Sequence, residues 1–162
     1  MPYPYQISPD DPAIDKVLSL IKSTFAFMDG LVDPPSSANG LTTEALRRQA
    51  TAGEVWAIGR PIVACMVLTP MPPALYLGKL AVAPHRRREG LAALLIDLAE
   101  DRARDLGLAW VELGTRVELV ENQAAFGAMG FAEVMRECHP GFDRPTSIVY
   151  RRPVQAAKGD QR

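Results

Sequence analysis

Apolar positions recur at helical spacing in four stretches of the chain and in short runs or alternation elsewhere. In DPAIDKVLSLIKSTFAFM, Ile14, Val17, Leu18, Ile21 and Phe25 fall on one helical face. Asp11 is the expected N-cap there, with Pro12 at the first helical position, where a missing N–H costs nothing. A second helix is predicted from about Thr43 to Ala50, capped by Thr42 and ended near Gly53. The third is the strongest: in GLAALLIDLAEDRARDLG, Leu91, Leu94, Leu95, Leu98 and Arg102 share a side, and Gly107 stops the helix. The fourth, ENQAAFGAM, is short and closes at Gly130.

The remaining apolar runs have strand character. YQIS (Tyr5–Ser8) opens the chain, and AWVELGT, FAEVMREC and TSIVYRR follow the third helix. Between them EVWAIG, PIVACMVLT and ALYLGKLAV are separated by GRP and PMPP turns, the pattern of a three-stranded antiparallel meander. The segment DGLVDPPSSANG (Asp29–Gly40) is dense in loop residues. No repeat or linker interrupts the sequence, so one α+β domain is expected over residues 1–153, with a frayed tail over 154–162.

Composition narrows the function classes. At 162 residues the chain is long enough to bury a core, and 48% apolar with 23% charged residues is ordinary for a globular protein. A net charge of −1 creates no global field toward nucleic acid or a membrane, so neither partner is expected. Any role of the cluster Arg86–Arg88 is then local. The start, MPYPYQISPDDP, lacks a basic segment followed by an apolar one, and no apolar run reaches the length of a membrane span. A cytoplasmic location is expected. Cys65 and Cys138 lie in apolar runs without CxxC spacing and are read as buried thiols, and no metal site is expected.

The chemistry gathers in VAPHRRREGLAALL (Val82–Leu95). A strand, a loop of Pro, Arg and Gly, then a long helix make an anion site. The helix N-terminus offers unpaired N–H groups and a partial positive charge. Gly90 admits a ligand close to the backbone, and Arg86, Arg87 and Arg88 add charge. The competing reading is a solvated basic turn capping a surface helix. A P-loop is excluded because no Gly-Lys-Ser/Thr precedes the helix, and a dinucleotide fingerprint because only one glycine is present.

LAVAPHRRREGLAALLI resembles the central motif of the GNAT acetyltransferase superfamily: a strand ending in Val-x-Pro, then Arg/Gln-x-x-Gly-x-Gly/Ala. Val82, Pro84, Arg87, Gly90 and Ala92 occupy those positions, and the order of elements from YQIS to TSIVYRR is similar to that fold. The resemblance implies a mixed, mostly antiparallel twisted sheet of about seven strands flanked by about four helices. It implies that the backbone N–H groups of Arg87, Arg88, Glu89, Gly90, Leu91 and Ala92 cradle the pyrophosphate of acetyl-CoA. Glu89 departs from the usual basic or glycine residue and is expected to point away. Leu80, Ala81 and Val82 would offer a strand edge to the pantetheine arm, with the Leu80 N–H aimed at the thioester oxygen.

ENQAAFGAMGF resembles a second motif of that family, carried by Asn122, Phe126, Gly130 and Phe131. Asn122 and Phe126, four residues apart, share a helical side and would both contact the coenzyme. The family commonly has a tyrosine at the place of Phe126, and a phenyl ring cannot protonate the leaving thiolate. Some members carry a glutamate base six residues before the Val82 position, where this chain has Tyr76, an orienter of water. Glu112 and His139 are the substitutes for the base. Asp29 and Asp33 would attract a cationic acceptor and Phe142 would pack its carbon skeleton, with His139 beside them; plain turn roles for the two aspartates are the competing reading. The activity implied is direct transfer of acetyl from acetyl-CoA to a primary amine of a small molecule or peptide, in a monomer or a homodimer. The alternative is a catalytically silent coenzyme-A-binding regulatory domain.

Overall fold

The computed structural model describes residues 3–156. Seven strands, β1 (Tyr5–Ile7), β2 (Glu54–Ile58), β3 (Ala64–Met71), β4 (Ala74–Val82), β5 (Trp110–Arg116), β6 (Ala132–Glu137) and β7 (Ser147–Pro153), form one sheet in the order β1-β2-β3-β4-β5-β7-β6. Every neighbouring pair is antiparallel except β4 and β5. That one parallel pair follows from the long helix between them, because parallel strands need a crossover rather than a hairpin. The helices are α1 (Ile14–Phe25), α2 (Thr43–Ala52), α3 (Leu91–Asp105) and α4 (Val120–Ala128). This is the expected single α+β domain with a mixed, mostly antiparallel sheet.

Helices cover both faces, so the central strands are apolar on both sides instead of alternating. On β3, Ala64, Met66 and Leu68 join the core beneath α3, while Cys65 and Val67 join the core under α1 and α2. Leu91, Leu95, Ile96 and Ala99 of α3 fill the first layer, and Ile14, Val17, Ile21 and Leu46 the second. Burying a chain of this kind supplies about 25 cal/mol per Å² of apolar surface removed from water. A partly buried ion pair ties the layers together: Arg102 of α3 donates from Nε and Nη2 to the two carboxylate oxygens of Glu54 on β2, at 2.9 and 2.8 Å.

Local details differ from the sequence reading in three places. α1 begins at Ile14, and Asp11 sits before it, its Oδ1 accepting the Ala13 N–H at 2.8 Å. Asp11 and Pro12 thus form a turn leading into the helix, because the first bonded turn runs from Asp11 O to Ile14 N. Cys65 is buried, with its thiol pushed up to about 12 by burial, but Cys138 is exposed. It follows β6, an edge strand exposed along its whole length. Val154 and Gln155, expected to be frayed, are held by Ala109 O and a Glu100 carboxylate oxygen; the expected tail from 157 lies outside the described residues. Among the described residues no helix is long and apolar enough to cross a membrane.

Two irregularities in β4 build the site. Cys65 pairs with Ala81 but Val67 with Gly78, so Lys79 and Leu80 together oppose Met66 in a β-bulge, with Lys79 at φ +52°. The extra residue reverses the side-chain parity. Leu75 and Leu77 point under α3 before the bulge, and Leu80 and Val82 do so after it. Second, β4 pairs with β5 only from Ala74–Trp110 to Tyr76–Glu112. Beyond Tyr76 the two strands part.

Candidate active site

The parted strands open a cleft of about 720 Å³. Its walls are Tyr76, Gly78, Lys79 and Leu80 from β4, and Glu112, Gly114 and Arg116 from β5. Asn122 and Phe126 of α4 close one side, and Met28, Ser37, Glu137 and His139 another. Parallel strands in register would leave no such opening. Because β5 stops pairing with β4 at Glu112, the backbone of β4 from Leu77 to Val82 has no ladder partner on that side among the described residues.

A second hollow of about 350 Å³ continues past the end of β4. Val82, Arg86, Arg87, Arg88, Gly90, Leu91 and Ala92 line it, with Met129 opposite. Phe126 and Met129, one turn apart at the end of α4, border the first and second hollows respectively. The strand edge at Leu80–Val82 runs between the two, while the Ala81 side chain turns into the α1 core.

The loop itself is shaped for an anion. Gly90 is the N-cap of α3 at φ +81°, and no side chain caps the helix. Its first N–H groups are therefore available to a ligand, aided by the helix dipole. Arg88 also has positive φ (+66°), so the loop places two left-handed residues within three positions. Glu89, the anomalous acid, does not line the hollow. Both its carboxylate oxygens accept from Arg86 Nε at 2.9 Å. Arg87 and Arg88 meet no carboxylate among the described residues and are exposed at its rim.

In the larger cleft, the Tyr76 ring lies over Gly78. Burial pushes its phenol pKa up, and the negative charges of Glu112 and Glu137 push it further. Glu112 faces the same cleft with Oε1 held by Arg151 Nε at 2.9 Å. His139 lines the cleft and contacts Thr146 Oγ1 through Nδ1, while its N–H donates to the same oxygen at 2.9 Å. Lys79 donates to Ser37 Oγ at 3.2 Å, and burial lowers its ammonium pKa. Phe126 packs edge-on against Phe131 at 6.1 Å and tilted against Tyr150 at 6.4 Å.

Tyr76, Leu80, Glu112, Asn122, Phe126 and His139 thus come together in the larger cleft, and Val82, Arg87, Arg88, Gly90, Leu91 and Ala92 in the hollow beside it. Asp29, Asp33 and Phe142 line neither. Asp29 accepts from Asn39, Asp33 pairs with Arg144, and Arg144 lies over the Phe142 ring, so these groups fasten loops to one another. Lys79, Arg116 and Glu137 line the cleft without having been singled out from sequence. Gly78-Lys79 inside a strand run was the one available sign of the bulge. Among the described residues no group of three or more His, Cys, Asp and Glu could hold a metal ion.

The model of the acetyltransferase (GNAT) family matches residues 24–131, which include both hollows' central residues. No curated protein matches the sequence. The fold is similar to that of the ribosomal-protein-S18-alanine N-acetyltransferase from Escherichia coli. At 19% identity the match covers 100% of this chain and 99% of that one, with a TM-score of 0.71. An acetyltransferase of the GNAT family from Staphylococcus aureus matches at 16% identity over 94% of this chain and 99% of its own, TM-score 0.71. An acetyltransferase from Streptococcus agalactiae matches at 16% identity over 94% of this chain and 98% of its own, TM-score 0.73. At these identities the likeness is one of fold.

Proposed function

Because this chain belongs to the GNAT acetyltransferase family, we propose that it transfers the acetyl group of acetyl-CoA directly to a primary amine of a small molecule or peptide. The observation that carries this reading is the continuous track from the α3 N-terminus, along the unpaired β4 edge, to the splayed cleft. The pyrophosphate would lie on the N–H groups from Arg87 to Ala92. The pantetheine amides would pair with the strand edge at Leu80–Val82, and the thioester would reach the cleft beside Tyr76. There the Leu80 N–H would stabilise the oxyanion as the amine nitrogen attacks the thioester carbon.

The acceptor amine loses a proton to water oriented by the Tyr76 hydroxyl, while the C–S bond breaks and coenzyme A leaves as its thiolate. Phe126 cannot protonate that sulfur, and a thiol with a pKa of about 8.5 needs little help near neutral pH. Phe126 also favours a second reading, a domain that binds the coenzyme without turnover. Incubating the protein with acetyl-CoA and a panel of amino acids, peptides and polyamines separates the two. Thiol release matched by an acetylated amine supports transfer. Ligand stabilisation of the fold without thiol release supports the silent domain.

A further inference from the structure

Arg116 ends β5 inside the cleft, 8% exposed. Its Nη2 donates to the Pro34 carbonyl, and among the described residues its Nε has no hydrogen-bond partner. Seven other arginines, at 86, 102, 104, 136, 144, 151 and 152, each meet a carboxylate. Arg116 meets none among the described residues. A guanidinium remains charged in a protein, so burial without an anion leaves both its charge and a donor uncompensated. A ligand that brings an anion would relieve both.

Alternate residues share a face of a strand, so Arg116 lies on the side of Gly114 and Glu112, two residues beyond the point that Tyr76 reaches. That is about 7 Å along the strand. The Lys79 ammonium adds positive charge to the same cleft, while Glu112 and Glu137 supply negative charge toward Tyr76. The cleft thus complements a molecule with a cationic and an anionic end. Building on the acetyl-transfer reading above, we infer that Arg116 binds a carboxylate of the acceptor, and that the acceptor is an amino acid or comparable small amine with a free carboxylate.

Free leucine, methionine and phenylalanine are compared with their carboxamides as acceptors at saturating acetyl-CoA. The comparison is made in the wild type, Arg116→Gln and Arg116→Lys. The amine of each amide is the less basic of the pair, so intrinsic reactivity near pH 7 runs in favour of the amides. A preference for the acids therefore reports recognition. The wild type should use the acids with kcat/KM at least tenfold above the amides, mainly through KM. Arg116→Gln should bring the ratio to about one, Arg116→Lys should restore part of it, and the KM for acetyl-CoA should hold in both. Amides used as well as acids by the wild type overturn the inference while leaving acetyl transfer standing, and so does a ratio that survives Arg116→Gln. If no amine in any panel is acetylated, the transfer reading fails. Calorimetric titration of the same acids and amides into the coenzyme-A-saturated wild type then decides the role of Arg116: binding of acids over amides supports it, and equal or absent binding overturns it.

Discussion

The hydroxyl of Tyr76 on β4 ends against Gly114 on β5: a Cβ built on Gly114 would lie 3.7 Å from that oxygen. A Cβ on Gly78, two residues along β4, would lie 3.1 Å from the ring itself. The two glycines leave a flat bed on which the phenol crosses the mouth of the splay. Tyr76, reaching from β4 to β5 where the strands part, is thus seated over two missing side chains, with no hydrogen bond to its hydroxyl among the described residues.

The two positions should respond differently to alanine. At Gly78 the new methyl is closer than ordinary contact, and the flexible neighbour that must yield is Tyr76. Gly78→Ala should lower kcat about tenfold, roughly 1.4 kcal/mol of barrier, while shifting Tm only by a few degrees. Gly114→Ala places its methyl at ordinary van der Waals distance and should keep kcat within about twofold. Steady-state kinetics with thermal melts of both variants check this; the larger loss at Gly114 would place the phenol wrongly.

The raised phenol pKa of Tyr76 sets the expected pH dependence. Burial, then Glu112 and Glu137, keep the hydroxyl protonated well above neutrality, so on the proposed mechanism it would orient water and not itself accept the amine's proton in the assay range. The kcat/KM should climb with unit slope toward the pKa of the acceptor amine, without an inflection from Tyr76. Tyr76→Phe should lower kcat ten- to a hundredfold and keep the shape of the profile. An inflection between pH 6 and 8 that disappears in Glu112→Gln or His139→Asn would transfer the role of base to that residue.

The elements were legible where local chemistry and tertiary packing agree. Thr42 caps α2 through Ala45 N–H, Gly107 stops α3, and the strand runs around GRP and PMPP fold as the predicted meander. The left-handed turn at Gly90 was legible too, because a glycine ahead of a helical run marks a backbone position that other residues rarely adopt. What escaped depends on relations between distant residues. The bulge at Lys79 exists because Met66 opposes two residues, and the cleft exists because β5 leaves β4 after Glu112. Arg116 looks like any strand-end arginine until its neighbours are known. Asp29 and Asp33 attract attention by charge, yet Asn39 and Arg144 occupy them.

The Glu54–Arg102 pair makes a prediction about stability and acid. Hydrogen bonding from Arg102 is the main reason the Glu54 pKa is lowered from 4.5, with Trp56 Nε1 adding a second donor at 2.8 Å. A carboxyl whose folded pKa is depressed contributes stability above its unfolded pKa, and that contribution fades as pH falls through the folded value. Glu54→Gln should therefore lower unfolding free energy by about 2 kcal/mol at pH 7. The gap between variant and wild type should narrow below about pH 4.5 as the wild-type carboxylate protonates. Urea unfolding at pH 7, 5, 4 and 3 measures this directly. A gap that stays constant across that range would mean the pair contributes packing and not charge.

The last prediction concerns the arginine loop, where one acid sits among three bases. On the proposed reading, Glu89 would spare a phosphate in the hollow because Arg86 holds both its oxygens and Glu89 does not line the hollow. Arg86→Ala should release that carboxylate beside the α3 N-terminus and weaken coenzyme A by at least tenfold, about 1.4 kcal/mol. The double variant Arg86→Ala, Glu89→Ala should recover most of the loss, because it removes one charge of each sign and leaves the net charge of the loop as in the wild type. Arg87→Ala and Arg88→Ala should each weaken coenzyme A as well, without rescue by Glu89→Ala, because neither is paired with it. Dephospho-coenzyme A then separates their roles: the arginine that meets the 3′-phosphate should lose its effect with that ligand, and one that serves the pyrophosphate should keep it. All of these differences should shrink as salt rises, since the loop is exposed and its charges are screened within about 8 Å at physiological ionic strength. Calorimetric titrations of both ligands at two salt concentrations read every term. If the double variant binds no better than Arg86→Ala alone, the Arg86 side chain contacts the ligand itself, and restraint of Glu89 is not its task.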